Sequence, residues 1–136
     1  MWPLTWKPKI SETINSFELI KRLQVIAPSD CSILCRDTKY LIPANPADIM
    51  KRSPAKRYKY QKESRDCDDF VRITRGWLSK KNLGNLLCMD CKIKLQNGDR
   101  HALCAFLVDD KIVFGAPQNS RMVEYKDPVK IERLIA

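Results

Sequence analysis

The stretch RDCDDFVRITRGW, residues 65–77, sets one cysteine among three aspartates and then continues into an apolar-periodic run. Up to about position 80 the apolar residues fall near helical spacing, at Cys67, Phe70, Val71, Ile73, Trp77 and Leu78. We expect Asp66 to cap this helix, which places Cys67 in the first turn. Unpaired backbone N–H groups and the positive end of the helix dipole favour a thiolate there, and they tolerate the aspartates. The helix therefore overrides the local negative charge around the thiol.

Two shorter helices are predicted upstream of it, at residues 16–25 and 44–52. Ser16 is the expected cap of the first helix, and Pro28 closes it. An Asn-Pro pair opens the second helix, and Pro54 ends it.

Strands are predicted in two regions. In residues 32–43, SILCRD and TKYLIP, apolar and polar side chains alternate, which predicts extended structure or a hairpin. Three further strands are expected at residues 86–95, 101–108 and 111–114. The turn residues NGD and DDK between them join these strands as antiparallel neighbours. The predicted architecture is α+β, with a helix packed on an antiparallel sheet.

Length and composition bound the class of protein. The chain has 136 residues, 44% hydrophobic and 30% charged, as in an ordinary soluble globule, and we expect residues 1–136 to form a single domain. The longest apolar stretch, residues 101–116, is interrupted by Asp109, Asp110 and Lys111, so no segment is expected to span a membrane. The start of the chain, MWPLTWKPKI, lacks the continuous apolar region of a signal peptide. The expected location is therefore the cytoplasm.

Six cysteines in a chain without an export signal predict free thiols rather than disulfides. Two pairs, in CSILC and CMDC, offer four thiolates for zinc: Cys31, Cys35, Cys88 and Cys91. The first pair has loose spacing, neither pair has the usual knuckle glycine, and the second lies in a strand-like run. Small buried apolar residues are therefore the preferred interpretation of these cysteines, and zinc is the less favoured one.

The net charge of +9 is concentrated in KRSPAKRYKYQK, residues 51–62, which holds no acidic residue. The cations of this basic segment are Lys51, Arg52, Lys56, Arg57, Lys59 and Lys62. With two interleaved tyrosines, the pattern is typical of a nucleic-acid footprint, in which cations meet phosphates and rings stack on bases. A solvated loop and a surface for an acidic protein are the alternatives, because no recognised nucleic-acid module surrounds the segment.

The sole histidine, His101, begins a predicted strand 34 residues after Cys67. A helix, a loop, a strand and a turn fit between them and can bring the two side chains together. A cysteine at a helix start facing a histidine on a strand is the arrangement of cysteine proteases, in which the imidazole takes the thiol proton. The alternative is a structural histidine at the entry to a strand.

The motifs DCDDF at residues 66–70 and HALCAFLVDDKIVFGAPQ at residues 101–118 resemble the papain-like domain that follows the lectin domain of the fairy-ring mushroom agglutinin. They also resemble the small phage and bacterial proteins grouped as agglutinin-related. The pattern in that family runs from DCDDF at a helix start, through HA-l-x-F, to a strand that ends in E-P-Q. The match covers residues 57–119. It implies a papain-like core over residues 31–136, with residues 1–30 as an N-terminal extension without a recognised counterpart.

Carried over by position, the resemblance makes Cys67 the nucleophile and His101 its base. The third member of the family's triad is a glutamate before Pro-Gln, and this chain has Ala116 there. Without an acceptor for the far imidazole nitrogen, the imidazole is poorly oriented and the rate falls by orders of magnitude. Gln118 or Asn119 is the expected substitute, since an amide carbonyl can orient an imidazole.

The mushroom domain is also calcium-dependent, and the resemblance implies Asp68 and Asp69 as oxygen ligands of calcium. Helix capping and pairing with the basic segment explain these two acids equally well. Calcium is therefore a ligand implied by the resemblance alone.

Two functions from different classes follow. The first is a papain-like cysteine hydrolase-related protein, phage-encoded in this interpretation, whose Cys67 and His101 act on a peptide or related amide bond. The second is a catalytically weakened scaffold that binds a nucleic acid or a host protein through residues 51–62, for example to inhibit a host defence system. The intact cysteine and histidine favour the first function, whereas Ala116 and the basic segment favour the second. A phage-encoded protein would act in the cytoplasm of the host cell.

Overall fold

The structure is a computed structural model that describes residues 6–59 and 67–136. Its helices are α1 (Ser16–Ile26), α2 (Pro46–Arg52) and α3 (Cys67–Lys80), and short 3-10 turns occur at Pro54–Arg57 and Pro117–Asn119. Its strands are β1 (Ile10–Asn15), β2 (Ser32–Leu34), β3 (Lys39–Pro43), β4 (Met89–Lys94), β5 (Arg100–Val108), β6 (Lys111–Ala116), β7 (Arg121–Val123) and β8 (Lys130–Ile135). The predicted α+β class with an antiparallel sheet is confirmed.

Six strands form the main sheet, in the order β2-β8-β4-β5-β6-β7. Its neighbours run antiparallel except β2 and β8, which pair in parallel. The meander β4–β5–β6 is the one predicted from the turn residues. Gly98 has a φ of 93° in the first turn, and Asp109 and Asp110 have φ of 48° and 58° in the second. Aspartate tolerates this left-handed conformation, which a two-residue hairpin turn of the primed type requires.

The main sheet lies between two apolar layers, and the alternation of side chains along β5 defines them. Odd-numbered residues from Leu103 to Leu107 join the layer that contains α1. Even-numbered residues from Ala102 to Phe106 join the layer that contains α2 and α3. Positions 102–107 are at most 3% exposed, so this part of β5 is buried on both faces, and all six of its residues are apolar. Helices therefore cover both faces of the sheet, and α3, which carries Cys67, covers one of them.

Residues 32–43 contain the two strands β2 and β3, so the prediction of extended structure is confirmed and only its alternative, a hairpin, is wrong. These residues do not form a hairpin, because β2 pairs with β8 and β3 pairs antiparallel with β1 in a separate two-stranded sheet. Alternation of apolar residues predicts that a segment is extended, but it does not specify which strand lies beside it.

The first 30 residues are also more than an extension of the core. They contain β1 and α1, and Leu19 and Leu23 of α1 are fully buried in the sheet's first layer. Asn15, and not Ser16, caps α1, since its side chain accepts a hydrogen bond from the backbone nitrogen of Glu18. In the part of the chain that the structure describes, no helix is both long and apolar enough to cross a bilayer.

Candidate functional site

Cys67 is the first residue of α3, and its side chain is half-buried. Its Sγ atom accepts a hydrogen bond from the backbone nitrogen of Ala102 at 3.3 Å. The ladder between β5 and β6 ends at the pair Cys104 and Gly115, so this amide lies beyond the reach of β6. The thiol therefore occupies the edge of β5 that β6 leaves uncovered. Asp66, the predicted cap of α3, lies outside the described residues.

The two acidic residues after Cys67 have cationic partners. Asp69 contacts the guanidinium of Arg72 at 2.8 Å, one turn further along α3. Asp68 lies 3.9 Å from the Nζ atom of Lys92 on β4. These ion pairs, together with the start of the helix, explain how a thiol is accommodated beside two aspartates. Paired in this way, the aspartates have an explanation that needs no calcium, and calcium binding stays a prediction.

His101 follows the first residue of β5 and is exposed at the surface. The nitrogen of Ala102 is two bonds from the Cα of His101, so the sulfur of Cys67 lies within about 6 Å of that Cα. No described residue is hydrogen-bonded to the imidazole, and the thiol's donor is the backbone instead. The structure thus brings the two predicted residues together along the backbone without joining their side chains.

A cleft of about 420 Å³ opens beside His101, and Ala116 and Gln118 line it. Ala116 ends β6 and is 3% exposed, in the position where the resemblance places a glutamate. The Oε1 atom of Gln118 is buried in this region and has no hydrogen-bond partner among the described residues. A buried carbonyl oxygen without a donor is uncommon, because the loss of its hydration is uncompensated. Gln118, the predicted substitute for the triad acid, therefore lines the same cleft as His101. Its side-chain oxygen accepts no hydrogen bond from a described residue.

The described part of the basic segment includes the end of α2 and the 3-10 turn that follows it. Its described cations are all exposed: Lys51, Arg52, Lys56, Arg57 and Lys59. Lys62, the sixth predicted cation, lies outside the described residues. Arg52 is partly neutralised, since its Nε atom contacts Asp48 at 3.1 Å.

The four cysteines considered for zinc lie in different parts of the core. Cys31, Cys35 and Cys91 belong to the layer of α1, whereas Cys88 belongs to the layer of α3. The neighbouring Cys88 thiol, together with burial, raises the pKa of the Cys104 thiol. Burial likewise raises the pKa of Cys91 to about 12. Within residues 6–59 and 67–136, no three metal-ligating side chains converge.

Two features of the site carry no signal in the sequence. The donor to the thiol is a backbone amide, which any residue at position 102 supplies except proline. Trp6 stacks on Trp77 beside the basic segment, with ring centroids 5.5 Å apart and planes at 11°. Helical spacing marks Trp77 as apolar, but nothing local relates it to a residue 71 positions earlier in the chain.

Comparison with known proteins finds similarity in structure and not in sequence. No protein-family model matches the chain, and no curated protein matches it. The solved structure of PSL1a in complex with E-64 is similar, with a TM-score of 0.76, 20% identity, and coverage of 91% of this chain and 51% of that one. So is Polyporus squamosus lectin bound to the human-type influenza-binding epitope Neu5Acα2-6Galβ1-4GlcNAc, with a TM-score of 0.73, 20% identity, and coverage of 91% and 49%.

At this level of identity the likeness establishes the fold alone. The chain spans about half the length of these two lectin chains. Residues 31–136 make up less than 91% of the sequence, so the match also takes in part of the first 30 residues. The predicted relation to a mushroom agglutinin is confirmed for the fold alone, since the chain shares its fold with about half of a mushroom lectin.

Proposed function

We propose that this chain is a papain-like cysteine hydrolase-related protein, in which Cys67 and His101 act on a peptide or related amide bond. The observation that carries the proposal is the hydrogen bond from the Ala102 nitrogen to the Cys67 sulfur, 3.3 Å long. It fixes the thiol beside the peptide that links the sole histidine to the next residue. The similar fold of PSL1a, which has been solved in complex with the thiol-directed epoxide E-64, supports a reactive thiol in this fold.

The chemistry assigned to the two side chains is nucleophilic catalysis. The imidazole of His101 takes the thiol proton, and the sulfur of Cys67 attacks the carbonyl carbon of the substrate. The imidazolium then gives its proton to the leaving amine, and water hydrolyses the thioester with the imidazole again as the base. The backbone N–H of Cys67, at the first position of α3, has no acceptor inside the helix, and it is assigned as a donor to the developing oxyanion.

Turnover is expected to be slow in the natural protein. The side chain of Ala116 provides no acceptor for the imidazole, and the imidazole has no hydrogen bond to a described residue. Gln118 lines the same cleft as His101, and its Oε1 atom has no hydrogen-bond partner among the described residues, so this atom is the proposed acceptor for the imidazole. Gln118 is therefore assigned the role of orienting residue, and a carbonyl oxygen stabilises an imidazolium less than a carboxylate does.

The test of this proposal combines covalent labelling with hydrolysis. E-64 carries an epoxide that a thiolate opens, so one equivalent adds its full mass to the protein. Peptide mapping after incubation at pH 7 is expected to place the adduct on Cys67, and fluorescein-labelled casein is expected to be cleaved slowly. Cys67→Ala should remove both signals. Cys31→Ala is the matched control, because Cys31 is another half-buried thiol, and it should change neither.

The proposal fails if E-64 labels another cysteine preferentially, or if the casein is cleaved equally by the Cys67→Ala variant. His101→Ala adds a second criterion. It should slow labelling and hydrolysis together, because the imidazole assists both, whereas a structural histidine would leave the labelling rate per folded molecule unchanged.

Binding without turnover is the second candidate function. It is favoured by Ala116, which removes the triad acid, and by the fold shared with a lectin described with a bound sialylated trisaccharide. Calorimetric titration of the chain with Neu5Acα2-6Galβ1-4GlcNAc tests one form of it. Saturable heat that persists in Cys67→Ala supports a binding protein, whereas a titration without saturation removes glycan binding from consideration.

A further inference from the structure

A second surface, separate from the thiol, lies where the basic segment meets the C-terminal half of α3. A groove of about 320 Å³ opens there, and we call it the tryptophan groove. Its lining residues are Trp6, Lys51, Arg52, Ser53, Lys56, Arg57, Trp77 and Lys81. Five of these eight residues are cations, and no acidic side chain lines the groove among the described residues.

Two indoles form the floor of the groove and two cations cover them. Trp6 and Trp77 stack with their planes at 11°. The guanidinium of Arg52 lies 5.2 Å from the ring centre of Trp6, and the Nζ atom of Lys81 lies 5.8 Å from that of Trp77. Such cation–π contacts hold a positive charge in place. Lys81 keeps its full charge there, whereas Arg52 is partly neutralised by Asp48. The stack therefore fixes charges that long side chains would otherwise spread over many positions.

The backbone beneath the groove is held by buried hydrogen bonds. The hydroxyls of Ser53 and Thr74 lie 2.7 Å apart, and both side chains are fully buried. Thr74 also donates to the carbonyl of Phe70 on α3, so the end of α2 is tied to the middle of that helix. Trp6 is fixed from the other side, since its Nε1 donates to Asp48 at 2.9 Å. The groove is thus a preformed feature of the fold.

We propose that the tryptophan groove binds the phosphate backbone of a nucleic acid, without selecting its bases. Phosphates attract clustered cations strongly and release condensed counterions on binding. Lys51, Lys56 and Lys81 bring their charges into one groove, and the chain's surplus of +9 strengthens the attraction at long range. Each indole already has the other indole and one cation against its ring, so base stacking is not what the groove offers.

An acidic protein is the other class of partner that a basic surface attracts, and the composition of the groove argues against it. Protein interfaces have an apolar centre and are poor in lysine. Here three lysines line the groove, and the two large apolar rings lie beneath cations. A partner surface would find no exposed apolar centre to bury.

The groove and the thiol are far apart on the same helix. Trp77 follows Cys67 by ten residues, which corresponds to about 15 Å along α3. Nucleic-acid binding is therefore independent of the proposed hydrolase, and either can fail without the other. Labelling of Cys67 by E-64 should be unchanged by groove substitutions.

The test uses two variants of equal net charge. Lys51→Gln/Lys56→Gln/Lys81→Gln removes three cations from the groove. Lys39→Gln/Lys111→Gln/Lys126→Gln removes three exposed lysines elsewhere and is the matched control. Fluorescence anisotropy with a labelled 20-nucleotide oligothymidine at 50 mM salt should show at least a tenfold rise in Kd for the groove variant and less than a twofold rise for the control. For a single strand, each phosphate contact contributes about 0.7 to the slope of log Kd against log salt concentration. The groove variant loses three cations, so its slope should be smaller by about 2.

Three results would overturn the proposal: equal loss of affinity in both variants, absence of binding to the oligothymidine and to a 20-base-pair duplex alike, or equally tight binding of a labelled 20-residue polyglutamate. The last result would assign the surface to an acidic protein. If the groove variant does not fold, acetylation of lysines in the unaltered protein, with and without oligothymidine, tests the proposal instead. Oligothymidine should then protect Lys51, Lys56 and Lys81 from acetylation but leave Lys39, Lys111 and Lys126 reactive, and uniform protection contradicts a defined groove.

Discussion

Met50 of α2 packs directly over the Cα of Gly115 on β6. A Cβ atom at position 115 would lie 2.5 Å from the Sδ atom of Met50 and 2.6 Å from its Cγ. Met50 is fully buried, so its side chain has little room to move away. We therefore expect Gly115→Ala to lower the free energy of unfolding by about 1–3 kcal/mol, the usual effect of overpacking a core. Denaturant unfolding monitored by circular dichroism measures it.

Gly76 offers a matched control for this substitution. It lies inside α3, and a Cβ added there would meet nothing within 4 Å. Gly76→Ala should raise the free energy of unfolding by about 0.5–1 kcal/mol, since alanine is the better helix former. Equal effects at the two positions would mean that Met50 adapts to the added methyl group, and that β6 does not depend on a glycine for its contact with α2.

The elements that the sequence predicts well are those with local signals. α3 is predicted from position 66 to about position 80 and observed at Cys67–Lys80, because its apolar residues repeat with helical spacing. The strands around the NGD and DDK turns are predicted for the same kind of reason, since glycine and aspartate accept the positive φ that those turns need. Their observed ends differ from the predicted ones by at most three residues, since terminal residues fray.

The elements that the sequence does not predict depend on distant partners. β8 is flanked by two neighbours of opposite direction, and β2 reaches it from about 100 residues earlier in the chain. The hydrogen bond between Ala102 and Cys67 and the stack of Trp6 on Trp77 are contacts of the same kind. The candidate catalytic pair is predictable because its two residues carry local signals: His101 is the sole histidine, Cys67 lies at a helix start, and both lie in motifs that resemble a known family.

The second prediction concerns the order in which the six thiols react. Burial raises the pKa of Cys31 and of Cys35, and the neighbouring Asp30 raises that of Cys31 further. Cys88, Cys91 and Cys104 are buried. Iodoacetamide at pH 7 should therefore modify Cys67 first, at a helix start and beside a histidine, and peptide mapping over time gives the order. If Cys31 or Cys35 reacts as fast as Cys67, then position 67 has no special reactivity.

The third prediction concerns stability at high pH. Burial, with smaller effects of Cys31 and Asp90, raises the pKa of Cys91 to about 12 from an ordinary 9.0. A thiol with a raised pKa stabilises the fold fully below the ordinary value, and this contribution is lost as the pH rises toward the folded value. The free energy of unfolding should therefore fall between pH 9 and 12, by at most about 1.4 kcal/mol per pH unit from this one group.

Cys91→Ala isolates that contribution from other groups that titrate in the same range. The variant is less stable at pH 8 because it leaves a cavity, but the difference from the natural protein should shrink as the pH rises above 9. A difference that stays constant from pH 8 to 11 would show that the Cys91 thiol ionises equally easily in the folded and unfolded chain.

The last prediction concerns the acid that the triad lacks. Ala116 lies at the end of β6 and lines the cleft beside His101, so a carboxylate at this position reaches the region of the far imidazole nitrogen. Ala116→Glu should raise turnover of a peptide substrate by roughly ten- to a thousandfold, because a placed acceptor fixes the tautomer and stabilises the imidazolium. The double variant with Cys67→Ala should be inactive, which assigns any gain to the thiol.

Gln118→Ala in the natural protein separates two explanations of a null result. If Ala116→Glu brings no gain but Gln118→Ala lowers the rate, then Gln118 already orients the imidazole. If neither substitution changes a measurable rate, the cleft beside His101 does not support hydrolysis, and binding without turnover is the function that remains.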